Sequence, residues 1–301
     1  MKKHLLIIAG PTAIGKTKLA IQLAKYYQTE IISADSRQFY KELSIGTAKP
    51  TPTEMQGVPH HFINNLNIVQ NYNAGTYEKE VMQLLDHLFE KHTVVILCGG
   101  SGLFINAVCK GMDSFEDVDE TIRKNIQEKY RQHGLSWLQE QVKELDPSYY
   151  DQADVNNPQR LSRALEVCIS TGKPYSSFRT GKKKQRDFNC IKILLNTDRE
   201  RLYERINRRV DEMIEAGLKE EVISVLSYKN HNALNTVGYK EMIAFLEGKQ
   251  DWNKTIELIK QNTRRYAKRQ MTWFGNDDEY HSFEPPQEED IKAFIDQILS
   301  K

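Results

Sequence analysis

Long apolar runs are missing from this sequence, and so is any excess of charge of one sign. No stretch approaches the roughly 20 consecutive apolar residues that a membrane helix needs. The start, MKKHLLIIAG, is basic and then briefly apolar, but the apolar part is short and runs straight into glycine. It reads as a first strand, and a cleaved signal is not expected. Cysteine is scarce. Cys98, Cys109, Cys168 and Cys190 have neither CxxC spacing nor a cluster of companion ligands, which argues for reduced thiols and against a structural metal. A net charge of +1 gives no overall field for nucleic acid, so binding of that kind must come from local clusters of bases. No internal repeat or low-complexity segment is visible. These absences lead to the expectation of a cytoplasmic protein without a membrane partner.

What is present is a chain of 301 residues, 39% hydrophobic and 28% charged, able to bury one large core with room for a smaller insertion. Residues 4–9 (HLLIIA), 30–34 (EIISA), the TVVILC run from 93 and residues 190–197 (CIKILLNT) are nearly all apolar. Helical patterns lie between them at 16–27 and 76–91, and follow at 199–216, 218–227 and 253–273. Short apolar strands alternating with helices predict an α/β fold: a P-loop core whose parallel sheet is covered by helices on both faces. From Asp113 the texture changes. Residues 119–146 and 158–171 are helical in period with no strand between them, and 180–187 (TGKKKQRD) reads as a basic linker. The expected domains are therefore a core of residues 1–112 and 190–301 and a mainly helical insertion of residues 113–189. The tail from 284 is expected to end in one surface helix.

Gly10-Pro11-Thr12-Ala13-Ile14-Gly15-Lys16-Thr17 satisfies the GxxxxGK[ST] pattern, with an apolar strand before it and a helix after it. The glycines let backbone N–H groups turn inward on phosphate oxygens, and the helix start adds its positive end. Lys16 brings a mobile charge, and the Thr17 hydroxyl suits a Mg²⁺ that itself sits on phosphates. By motif alone this is an ATP- or GTP-type cradle. However, the third strand ends on Cys98-Gly99-Gly100-Ser101, with none of the acidic ligands many nucleotidases carry there. Asp35, at the end of the second strand, can accept a proton from an attacking group or merely cap a turn with Ser36. Ser101 can bond a phosphate oxygen, orient Asp35, or form a plain turn. All three features fall at the same edge of the same sheet.

GPTAIGKT, ISADSRQFY, IGTAKP, GVPHHF, GGSGLF, NPQRLSRALEV and TVGYKE together resemble, in order and spacing, the tRNA dimethylallyltransferases. The resemblance covers residues 5 to about 275. It implies transfer of a dimethylallyl group from dimethylallyl diphosphate to N6 of the adenine immediately 3′ of the anticodon in tRNA, with Mg²⁺ and release of pyrophosphate. The absence of the Cys/His spacing of a C-terminal zinc finger points to the bacterial type, and a monomer is expected. Ile14 stands where the family usually has Ser, Ser101 where it has Thr, and Phe104 where Tyr is common.

On these residues the resemblance implies roles. Gly10 to Thr17 hold the diphosphate with Arg209 and, on the same helical face, Arg205. Asp35 takes the N6 proton, Ser101 positions Asp35 and the donor, and Thr17 holds the metal. Asp35, Ser36, Arg37 and Gln38 meet the RNA, as do Arg123 and Gln159-Arg160-Leu161-Ser162-Arg163 in the insertion. The competing view of Arg160 and Arg163 is a structural pairing with Glu166. Near the end, KQNTRRYAKRQMTWF sets Lys260, Arg264 and Lys268 on one stripe and Arg265 and Arg269 on the next, a pattern suited to a phosphate backbone. Tyr266 and Trp273 read as core contacts rather than stacking platforms, and His60-His61 as a satisfied structural pair. Three other functions compete: a P-loop kinase of a nucleoside or other small metabolite, an RNA-binding module with the loop as a nucleotide sensor, and a prenyltransferase of free adenine nucleotides. The first two leave the basic surfaces or the Asp35–Ser101 pair without work, and the third needs no such basic surface.

Overall fold

The computed structural model describes residues 2–113, 118–179, 181, 183–285 and 287–300. It divides into two compact units, Met1–Lys110 with Gln185–Lys301, and Gly111–Lys184. Thr180 and Lys182 of the basic 180–187 stretch lie outside the described residues.

The larger unit begins β1 (His4–Ala9), α1 (Lys16–Tyr26), β2 (Ile31–Ser33), α2 (Pro52–Met55), β3 (His60–His61), α3 (Ala74–Leu88), β4 (Val94–Gly99) and α4 (Gly102–Lys110). The smaller unit supplies α5 (Glu120–Leu145), α6 (Pro147–Tyr150) and α7 (Pro158–Thr171). The larger unit resumes with β5 (Asn189–Leu195), α8 (Arg199–Glu215), α9 (Leu218–Ser224), α10 (Tyr239–Leu246), α11 (Trp252–Gly275), β6 (His281–Phe283) and α12 (Glu288–Leu299). The six strands form one sheet, ordered β3-β2-β4-β1-β5-β6. Every neighbouring pair is parallel.

The apolar runs become strands because each has partners on both faces. Leu5, Ile7, Val95 and Leu97 point into one core, while Leu6, Ile8, Val94, Ile96, Ile191 and Ile193 point into the other. That is the period-2 alternation of a strand with both faces covered. Full burial of each such side chain contributes about 1.5–3 kcal/mol before entropy is charged against it, so the central strands dominate the stability of the sheet. α12 adds Ile291 and Ile295 to the second core, so the tail helix lies on the surface by one face only. No helix among the described residues is long and apolar enough to cross a membrane.

The chain passes from β1 to β2, leaving room for β4 between them, and then crosses from β4 to β5 on the far side of β1. Such a reversal opens a crevice at the carboxyl ends of the strands, where ligands of parallel sheets bind. The register levels those ends: Ile8 pairs with Cys98, and Ser33 also pairs with Cys98. The residues after β1, β2 and β4 therefore emerge side by side.

The smaller unit has its own core. Ile126, Leu138, Val142, Leu161, Ala164 and Leu165 are almost wholly buried in it, with Tyr149 beside them. α5 is not the continuous helix expected over 119–146, because Gly134 breaks it with φ 76° and ψ −165°, a conformation that needs the missing Cβ. Asp146, 1% exposed, accepts hydrogen bonds from the Tyr149 and Ser176 amides and the Ser176 hydroxyl, which offsets the cost of burying its charge.

Candidate active site at the strand ends

The loop from Gly10 to Gly15 curls as the motif requires. Gly10 and Gly15 have φ of 151° and 102°, and Ala13 adopts a left-handed φ of 64°. Gly10 has a second constraint, since a Cβ there would lie 2.7 Å from the Leu195 carbonyl oxygen at the end of β5. The Ile14 side chain is 1% exposed and packs into the second core, so this residue offers the loop its backbone alone. The serine hydroxyl common in the family has no counterpart here.

The Lys16 ammonium donates to the Pro11 carbonyl at 2.7 Å, which folds the side chain back over the loop. Burial pushes its pKa down to about 8, against the opposing pull of Cys98 and Asp35, and the Arg209 charge lowers it further. Burial also lowers the pKa of Arg209, and the carboxylate of Asp35 is the first of the groups that oppose this. Lys16, Asp35 and Arg209 thus share one electrostatic neighbourhood. Arg209 reaches the Ala48 carbonyl at 3.5 Å, and Arg205 donates to the Ile14 carbonyl of the loop at 3.4 Å. Both arginines make only long contacts with these backbone oxygens, and a phosphate would be a far stronger acceptor.

Asp35 forms a local turn. Its side chain accepts the Arg37 amide at 3.0 Å, and its carbonyl accepts the Gln38 amide at 3.2 Å. The Ser101 hydroxyl is not on Asp35. It accepts the Ser36 amide at 3.1 Å and donates to the Ser36 hydroxyl at 3.3 Å. Tyr266, which the sequence suggests as a core contact, is half-buried within reach of the charge of Asp35: burial followed by that charge pushes its pKa up to about 12. Trp273 is 42% exposed, so it is not a buried core residue either.

Gln38 and Arg37 are already engaged. Gln38 donates to the Thr47 and Ala48 carbonyls and accepts from Ser33, and Arg37 donates to the carbonyls of Asn232, Ala233 and Asn235. Both lock neighbouring segments in place around Asp35. The α11 stripe of Lys260 and Arg264 faces the protein. Lys260 pairs with Asp211 at 2.7 Å, and Arg264 donates to Asn207 at 2.6 Å. Arg265, Lys268 and Arg269 are exposed bases in the C-terminal half of that helix.

Two residues that the sequence did not single out do much of the fixing. Gln270, 6% exposed, accepts the Thr12 amide at 2.9 Å and donates to the Gly100 carbonyl at 2.9 Å. Glu221 accepts the amides of Ser44, Ile45 and Gly46 and the Tyr239 hydroxyl. A signal for Gln270 exists: Ile259, Ala267, Gln270 and Phe274 are buried on one face of α11, so a polar residue stands at a core position. His61 pairs with Glu30 at 2.6 Å, whereas His60 keeps a buried Nε2 without a hydrogen bond, so only half of that pair is satisfied.

In the smaller unit, Arg163 and Arg123 flank Glu166 at 3.1 and 3.6 Å. Gln159 and Arg160 are exposed, Ser162 is half-buried, and Leu161 is fully buried in that unit's core. Leu161 therefore anchors residues 159–163 to that core and is not available to a ligand.

The strand-end arrangement can bind a diphosphate through backbone amides and three basic side chains, and it offers one carboxylate to take a proton. A single hydroxyl, Thr17, opens α1 beside the loop. A hard cation placed there would draw its remaining ligands from phosphate oxygens and water, as Mg²⁺ commonly does at such sites.

A family model described as IPP transferase matches residues 38–277. A tRNA dimethylallyltransferase of Cytophaga hutchinsonii is 48% identical over 301 residues, covering 100% of this chain and 99% of the relative. One of Christiangramia forsetii is 51% identical with the same coverage. Among solved structures, the tRNA isopentenylpyrophosphate transferase of Bacillus halodurans superposes with a TM-score of 0.74 at 34% identity, covering 99% of this chain and 97% of that one. A eukaryotic dimethylallyltransferase described as acting on tRNA superposes with a TM-score of 0.78 at 25% identity, covering 94% of this chain and 74% of that one.

Proposed function

This chain belongs to the IPP transferase family, and we propose that it transfers the dimethylallyl group of dimethylallyl diphosphate to N6 of the adenine immediately 3′ of the anticodon in tRNA, releasing pyrophosphate. What supports this reading is that Lys16, Arg209 and Asp35 act on one another's charge beside level strand ends, an arrangement suited to a diphosphate with a carboxylate at its mouth.

The N6 amine is a weak nucleophile because its lone pair is delocalised into the ring. The allylic carbon compensates, since positive charge on it spreads over the double bond. The barrier then depends on how well the departing diphosphate is neutralised. Lys16, Arg209, Arg205 and the free amides of the loop do this. The carbon–oxygen bond to the diphosphate breaks and its electron pair leaves with pyrophosphate. The N6–carbon bond forms, and the N6 proton passes to the Asp35 carboxylate. Mg²⁺ held by Thr17 would supply further charge neutralisation on the diphosphate. The adenine must leave its stack to reach this site, so base extrusion belongs to the mechanism. Exposed Arg160, Arg265 and Lys268 are suited to the tRNA phosphates, and the same reading takes the protein to be a cytoplasmic monomer.

The test is incubation of the purified protein with Mg²⁺, labelled dimethylallyl diphosphate and unmodified tRNA. Label enters the RNA and is lost when the target adenine is replaced. Consumption of ATP with a small acceptor, and no label in RNA, would return the cradle to kinase chemistry.

A further inference from the structure

Gln270 is a buried polar side chain of α11, at the end of the helix nearer the loop, that the proposed chemistry does not use. Its carboxamide spans two segments far apart in sequence. One end meets the loop after β1, the other the turn after β4. The geometry leaves one orientation of the amide: Thr12 offers an N–H and needs an acceptor, and Gly100 offers a carbonyl and needs a donor. Both bonds are 2.9 Å long. A Cβ on Gly100 would lie 2.2 Å from the Gln270 nitrogen, so glycine at 100 is what lets the side chain reach.

The contact has two consequences for the cradle. The Thr12 amide is turned away from any phosphate, so the loop binds with one amide fewer than its motif suggests. In return, the loop is tied to the turn that carries Ser101, and the spacing between the diphosphate cradle and Asp35 becomes fixed. Tyr266, one helical turn earlier on α11, lies close to that same Ser101 and to Asp35. Arg265, Lys268 and Arg269 stand exposed on the helix that carries both.

We propose that Gln270 is a positioning residue: it holds the Thr12–Gly100 spacing in which the loop grips the donor diphosphate and the allylic carbon lies within reach of the acceptor. This rests on the transferase reading above. Gln270 touches no reacting atom and acts only through the loop and the turn.

The test is a set of variants assayed for donor KM, kcat and tRNA binding. Gln270→Leu keeps the volume and removes both hydrogen bonds. It should raise the donor KM about tenfold and lower kcat, the effect of a buried amide and carbonyl left without partners, while tRNA affinity stays within about twofold. Gln270→Glu keeps the acceptor for Thr12 but can donate to Gly100 only when protonated. Its activity relative to wild type should therefore rise as pH falls, whereas that of Gln270→Leu should stay flat. Gly100→Ala reaches the same contact from the other side and serves if the leucine variant does not fold; it should give the same rise in donor KM. Donor KM and kcat within about twofold of wild type in Gln270→Leu or Gly100→Ala overturn the proposal. So does a Gln270→Leu variant that loses tRNA affinity in proportion to activity. If wild type itself transfers no label from dimethylallyl diphosphate to tRNA, it is the transferase reading that fails.

Discussion

The Ser101 hydroxyl accepts the backbone N–H of Ser36 at 3.1 Å, so it fixes the peptide next to Asp35 while the carboxylate itself accepts the Arg37 amide. Ser101→Ala strands the Ser36 amide, and kcat should fall about 10- to 100-fold with little change in tRNA affinity. Ser101→Thr keeps the oxygen and should stay near wild type. Asp35→Ala should cost more, about 100- to 10,000-fold in single-turnover rate, because it removes the proton acceptor. Near-wild-type turnover by Asp35→Ala would remove that residue from the chemistry.

Donor affinity should fall at alkaline pH. The Lys16 pKa is depressed to about 8 in the free protein, and a bound diphosphate raises it. Below pH 8 the lysine is already charged and affinity is level. Above pH 8 binding must take up a proton, so the dissociation constant should be about tenfold weaker at pH 9 than at pH 7. Calorimetry in buffers of different ionisation enthalpy measures the proton uptake directly. Lys16→Arg stays charged throughout and should remove the pH dependence.

Arg160 and Arg163 should separate in their salt response. Arg160 is exposed, whereas Arg163 pairs with Glu166 at 3.1 Å. Arg160→Ala should reduce the slope of log affinity for tRNA against log salt by about 1, the loss of one phosphate contact. Arg163→Ala should change that slope less and lower thermal stability, because it leaves Glu166 with only the longer contact to Arg123. Filter binding across a salt series decides, and equal slopes for Arg160→Ala and wild type would remove Arg160 from the interface.

Glu221→Ala should destabilise the whole larger unit. The carboxylate accepts three consecutive amides, Ser44 to Gly46, and the Tyr239 hydroxyl. Leaving them without a partner should cost about 3 kcal/mol and lower Tm by roughly 6–12 °C. Glu221→Gln keeps one acceptor oxygen and should lose about half as much.

The central strands were legible in the sequence because burial on both faces leaves an unbroken apolar run, as in HLLIIA and VVILC. β3 and β6, of two and three residues, carry no such run and exist only by pairing at the sheet edges. The phosphate cradle was legible because its backbone shape demands glycine at fixed spacing. The partners of Gln270 and Glu221 were not, because they are backbone groups or a hydroxyl that only folding brings together. Nothing local in KRQMTW says that one glutamine will face Thr12.

The strand order also sets a timetable for synthesis. β1 is made first but lies at the centre of the sheet, between β4 and β5, and β5 follows the entire insertion. The stretch from Gly111 to Lys184 is continuous and has its own core, so it can collapse on the ribosome while β1 still lacks one neighbour. The half-made sheet must wait with an open edge, and the tie of Gln270 to Thr12 closes only when α11 has emerged. Chains halted before α11 should therefore hold a folded insertion on an unfinished, aggregation-prone sheet.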